Sequence, residues 1–65
     1  MYHKGQRIYY QRGGGGHRHR AVVVTVHHDE VIPYYTLRLL KSGREIQTEE
    51  SSIRSRSEQH ISIMN

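Results

Sequence analysis

Apolar and polar residues alternate along this chain with period two, in short stretches, and nowhere recur every three to four residues over a helical length. That pattern is the signature of strands. Gln6-Arg7-Ile8-Tyr9-Tyr10-Gln11-Arg12 sets large, strand-favouring residues between polar ones and predicts a first strand over 6–12. Glycines 13–16 follow; a glycine run is costly to order, so it predicts a mobile loop tip between two strands. It is not a phosphate-binding loop, because no helix opening on Lys-Ser/Thr comes after it. Ala21-Val22-Val23-Val24-Thr25-Val26 is β-branched and is the strongest strand signal in the chain. His27-His28-Asp29-Glu30 makes a polar corner, and Pro33 keeps Ile32 extended. A third strand over 34–40 puts Tyr35, Leu37 and Leu39 on one face and Tyr34, Thr36 and Arg38 on the other. Lys41-Ser42-Gly43-Arg44 is a tight hairpin turn in which Gly43 supplies the positive φ. A fourth strand is predicted over 45–48, a single helical turn over 49–52, and a return of Ile53 to the core. Ile61 and Ile63 flank Ser62 and predict a short last strand over 60–64.

Five short strands, one glycine loop, one corner and one tight hairpin predict an all-β fold. A strongly bent antiparallel sheet of this size removes most of its edges by wrapping into a small barrel. The expected core is Ile8, Tyr10, Ala21, Val23, Val26, Tyr35, Leu37, Leu39, Ile46 and Ile53. The chain has 65 residues, so that core is thin, and its marginal stability invites help from a neighbouring copy or partner at the last strand. With no cysteine, disulfides, thiolate metal sites and thiol chemistry are excluded. Lack of cysteine also fits a reducing compartment, so an intracellular location is the default expectation. No apolar run approaches the ~18 residues of a membrane span, so no membrane partner is expected.

The order of these short pieces resembles a Tudor-type domain, of the Src-homology-3-like barrel class, over residues 4–54, with 55–65 as a polar tail. Gly5-Gln6-Arg7-Ile8 stands at the opening of strand one and Arg20-Ala21-Val22-Val23 in strand two. His28-Asp29-Glu30 stands at the acidic corner. Tyr35-Thr36-Leu37-Arg38-Leu39 followed by Gly43-Arg44-Glu45 stands at the third strand, turn and start of the fourth, and Ile53-Arg54 at the close. The resemblance implies recognition of methylated lysine or arginine on a partner tail, in a nuclear, chromatin-associated setting. Such recognition needs an aromatic cage around the cation. Here the cage positions fall on Arg12, His19 and the neighbourhood of Leu39 and Lys41.

Charge changes the picture further. Ten Lys+Arg against six Asp+Glu give +4, and the basic residues concentrate in 4–20 and 38–56. A basic balance favours acidic protein tails or nucleic acid. Arg12, Arg18, Arg20, Arg38 and Arg44 are placed to form an anion-binding face around the glycine loop, since guanidinium forks match carboxylate and phosphate. The alternative is solubilising charge paired with Asp29, Glu30, Glu45 and Glu49. Tyr9-Tyr10 and Tyr34-Tyr35 each send one ring to either face of a strand, so outward Tyr9 and Tyr34 are expected to form a sticky patch on adjacent strands, with Tyr35 a further binding candidate. His17 and His19 share a strand face, but the interleaved arginines repel a cation, and no metal or other cofactor is expected.

The sequence therefore predicts a non-enzymatic module that binds a protein segment, an acidic or methylated tail. Its candidate binding residues are Tyr9, Arg12, Arg18, His19, Arg20, Tyr34, Tyr35 and Arg38. DNA or RNA binding through the same basic face is the first alternative, and a self-associating structural subunit pairing through 60–64 is the second. No nucleophile stands in a recognisable catalytic setting, and a chain this short struggles to enclose a water-excluded cleft.

Overall fold

The β-branched run becomes the axis of the fold. In the computed structural model, which describes residues 1–13, 16–29 and 31–56, β2 spans His19–His27 and is the longest strand. It pairs antiparallel with β1 (Arg7–Tyr10) on one side and with β3 (Tyr34–Leu39) on the other. Beyond them lie β4 (Glu45–Glu49), beside β3, and β5 (Ile53–Ser55), beside β1, so the order across the sheet is β4-β3-β2-β1-β5. A single 3-10 turn, Glu50–Ser52, joins the two outermost strands.

The sheet is antiparallel throughout and bent, but it is open. β4 and β5 are its edges, and no ladder joins them among the described residues. Among the described residues, hydrogen bonding does not close the barrel expected from the sequence. A strand that was not expected from the sequence is also present. Ile53 does return to the core, and it does so as the first residue of β5, while the strand expected at 60–64 falls outside the described residues.

A β-bulge between Val23 and Thr25 explains how two residues three apart face the same way. Val23 stands opposite Leu37 and Val26 opposite Tyr35, with the extra residue absorbed between them. Bulges add local twist, which is how one strand serves two halves of a bent sheet. Ile8, Ala21, Val23, Tyr35, Leu37 and Ile53 form the buried core, with Tyr10, Val26, Leu39 and Ile46 half-buried against it. Tyr2, not expected there, joins them. Its ring meets Tyr35 edge to face at 5.9 Å, and its hydroxyl donates to the Ile53 carbonyl at 3.3 Å. An edge-on aromatic contact with a satisfied hydroxyl is a stable way to cover a small core.

The hairpin between β3 and β4 closes as expected. Gly43 has φ +76°, and its N–H donates to the Leu39 carbonyl at 2.8 Å. The mobile tip expected of the glycine run falls at residues 14 and 15, outside the described residues, but the two glycines that flank it are described. Gly13 has φ +67°, and a Cβ on Gly16 would stand 2.6 Å from the Arg12 carbonyl oxygen. Both positions are thus glycine for geometric reasons.

Candidate functional site: an arginine-flanked tyrosine

Tyr9 lies on the outer face of β1, opposite Arg20 of β2 on one side and Arg54 of β5 on the other. Two more guanidinium groups rest against its ring, Arg56 at 5.2 Å and Arg18 at 5.9 Å from the centroid. One half-buried phenol therefore organises four arginines. Cation–π attraction holds two of them, Arg18 and Arg56, against the ring.

The loop between β1 and β2 holds Arg18 in place. Gln11 is the brace: its amide donates to the Gly16 carbonyl at 2.9 Å, and its side-chain oxygen accepts from Arg18 Nε at 3.3 Å. The Gln11 backbone N–H in turn donates to the Ser52 carbonyl at 2.9 Å, tying the loop to the 3-10 turn. Arg54 is fixed by donating to the carbonyls of Ser51 and Ile53 at 2.8 and 3.1 Å. Arg56 is less well provided for: its Nε and one Nη are buried without a hydrogen-bond partner among the described residues.

Beyond Arg20 the surface continues into an open groove lined by Arg18, Arg20, Leu40 and Lys41. Leu40 is an exposed apolar residue, and its N–H donates to the Arg20 carbonyl at 3.0 Å. The row Arg54–Tyr9–Arg20–Leu40 thus crosses the sheet at right angles to the strands. Four strands at ~4.8 Å spacing make that row about 14 Å long, the reach of roughly four residues of extended chain. Among the described residues the one arginine in a salt bridge is Arg38, whose Nη2 meets Glu45 at 2.9 Å; that pair is exposed.

The other expected site residues separate from this cluster. Tyr34 is on the outer face, but β2 lies between its strand and that of Tyr9, and Tyr34 stands opposite His27, at the far end of β2 from Arg20. The shared tyrosine patch on adjacent strands is corrected accordingly. Tyr34 instead stacks on His27, with centroids 4.2 Å apart and planes 8° from parallel, while His27 Nε2 and Thr36 Oγ1 are hydrogen-bonded at 2.8 Å. Tyr35 is also corrected as a binding residue: it is fully buried, and its hydroxyl donates to Glu50 at 2.6 Å. Burial first, and the hydrogen bond to Glu50 second, raise its phenol above the ordinary tyrosine value. Arg38 is spent on Glu45. Arg12 and His19 lie around the other side of the glycine loop, in a cleft with Tyr10, Leu39 and Ile46.

Arg54 and Arg56 are the residues that sequence reasoning missed. Their signal was the alternation Ile53-Arg54-Ser55-Arg56, which reads as a strand with one charged face, but only the register of β5 on β1 sets them beside Tyr9. Among the described residues no three His, Asp or Glu side chains gather as metal ligands, and no helix is long and apolar enough to cross a membrane. No family model, no curated protein and no solved structure matches this chain.

Proposed function

We propose that this chain is a non-enzymatic binding module that takes an acidic protein segment across the outer face at Tyr9. The observation that carries the reading is four arginines gathered around one tyrosine with no carboxylate paired to any of them among the described residues. Carboxylates suit such a surface because guanidinium donors are arrayed in forks, and three of them are already held, Arg18 and Arg56 by the Tyr9 ring and Arg54 by backbone carbonyls.

Two features favour an acidic segment over the alternatives. A methylated cation is repelled by the four guanidiniums, and the positions where a Tudor-type cage stands carry Arg12, His19 and Leu39. Base stacking is disfavoured because two guanidiniums already lie against the Tyr9 ring. The fold we assign is a small Src-homology-3-like barrel of Tudor type. The order β4-β3-β2-β1-β5, with a 3-10 turn between the fourth and fifth strands, supports it.

The experiment is an amide NMR titration of the labelled chain with a blocked Asp/Gly peptide, a single-stranded oligonucleotide and a trimethyllysine peptide. The acidic peptide should shift the amides of Tyr9, Arg18, Arg20 and Arg54, and Arg18→Gln together with Arg20→Gln should weaken it about tenfold or more. Binding of the oligonucleotide alone, with a steep loss of affinity on adding salt, moves the chain to the nucleic-acid reading. Binding of the trimethyllysine peptide alone makes it a methyl reader. Silence from all three, with lines that sharpen on dilution, leaves self-association.

A further inference from the structure

A second depression lies on the inner side of the glycine loop, and its chemistry differs from that of the outer face. Tyr10, Leu39 and Ile46 form its apolar floor, where the core reaches the surface. Arg12 and Arg44 stand at its rim with His17 and His19, and among the described residues no carboxylate lines it. Its volume is about 360 Å³, at the small end of the range in which binding pockets fall. The Tyr10 and His19 rings lie 6.3 Å apart across the β1–β2 ladder, so one wall is aromatic. Gly16 also lines the cleft, and its missing side chain allows the loop to fold back onto the Arg12 carbonyl.

The cleft and the outer groove are neighbours. Leu39 and His19 line both, and the alternation Arg18-His19-Arg20 at the start of β2 sends charge to the outer face and an imidazole to the inner one. Resting on the reading of the outer face as a seat for an acidic segment, we propose that this cleft is its specificity pocket. The occupant is an apolar side chain of that segment, with a carboxylate one or two residues away held by Arg12 and Arg44. Charge complementarity fixes the partner: an apolar floor alone accepts any hydrophobic segment, but a rim carrying Arg12 and Arg44 selects one whose apolar residue is flanked by acids. The partner motif is therefore acidic residues with a single embedded leucine or phenylalanine.

Calorimetry with two blocked peptides of equal negative charge tests this, one of Asp and Gly only and one with a single Leu between Asp residues. Burying the leucine side chain should tighten the second peptide about tenfold or more. That gain should fall in Arg12→Gln/Arg44→Gln, whose altered side chains are exposed and leave the core intact, and also in Ile46→Ala. The Asp/Gly peptide should be insensitive to these changes and sensitive to Arg18→Gln/Arg20→Gln. Equal affinity for the two peptides overturns the pocket and leaves the outer-face reading standing. A leucine gain that survives both Arg12→Gln/Arg44→Gln and Ile46→Ala, or that shifts amides at Val31 and Ile32 instead of Tyr10, Leu39 and Ile46, also overturns it. Failure of both peptides to bind overturns the outer-face reading with it.

Discussion

Tyr35 shows how much a single side chain carries in a core this small. Its ring is wholly buried, its hydroxyl donates to Glu50, and the same oxygen accepts from the Tyr2 N–H at 3.3 Å. Tyr35→Phe keeps the ring and removes both hydrogen bonds. The expected loss is about 1–3 kcal/mol, because both hydrogen bonds of the hydroxyl are lost and Glu50 loses a donor. The pH dependence has a definite sign. The folded phenol titrates above its unfolded value, so its contribution to stability is complete below about pH 10 and is lost as pH rises through the folded value. Denaturant midpoints measured from about pH 8 to about pH 11 should decline more steeply for the native sequence than for Tyr35→Phe. Parallel declines would show that the buried phenol is not the group responsible. Gly16 gives a second test at this scale. A methyl group 2.6 Å from the Arg12 carbonyl oxygen cannot be accommodated without moving the loop. Gly16→Ala should destabilise by about 0.5–3 kcal/mol. It should also loosen the Gln11 brace, so that Arg18 and the acidic peptide lose contact together. A stable variant that binds normally would show that the loop relaxes freely.

At the scale of elements, strands that bury one face were legible because burial imposes period two. β2, β3 and β4 lie within a residue or two of their predicted bounds, and all ten expected core residues are buried or half-buried against the core. The alternation in 34–40 assigned Tyr35, Leu37 and Leu39 to the inside, and Gly43 marked the hairpin. What stayed hidden was what register decides. β5 has three residues, too few to show a period, and its place beside β1 rests on the antiparallel pairing Tyr10↔Ile53. That pairing, not composition, gathers Arg54 and Arg56 at Tyr9. The same cause separates Tyr9 from Tyr34: both face outward as expected, but strand order sets them at opposite ends of β2. Tyr2 was missed because a lone aromatic before the first strand has no periodic neighbours. Since β5 contributes one buried side chain, Ile53→Ala is the decisive element-level substitution. Removing a fully buried isoleucine costs about 2–5 kcal/mol, comparable to the whole stability expected of a domain this size. The variant should lose dispersed amide signals throughout, β4 included; loss confined to β1 and β5 would show that the two halves of the sheet fold independently.

For the whole molecule, unpaired positive charge links stability to function. The chain carries +4, and among the described residues the paired side-chain charges are Arg38 with Glu45 and, through the amino terminus, Glu50. Arginines held close together without carboxylates repel one another, and the folded state bears that repulsion more than the unfolded chain does. Raising ionic strength from about 10 mM to about 150 mM shortens the screening length from roughly 30 Å to roughly 8 Å. Two measurements on the same protein should then move in opposite directions. The melting temperature of the free chain should rise, because screening relieves the crowding around Tyr9. Its affinity for an acidic peptide should fall, because the same screening weakens the attraction. The opposition distinguishes a surface kept basic for a ligand from one that is merely solubilising. Arginines satisfied by internal ion pairs would make the melting temperature fall with salt, since screening would then remove attractions. That result would take away the unpaired charge on which both the outer face and the inner cleft depend.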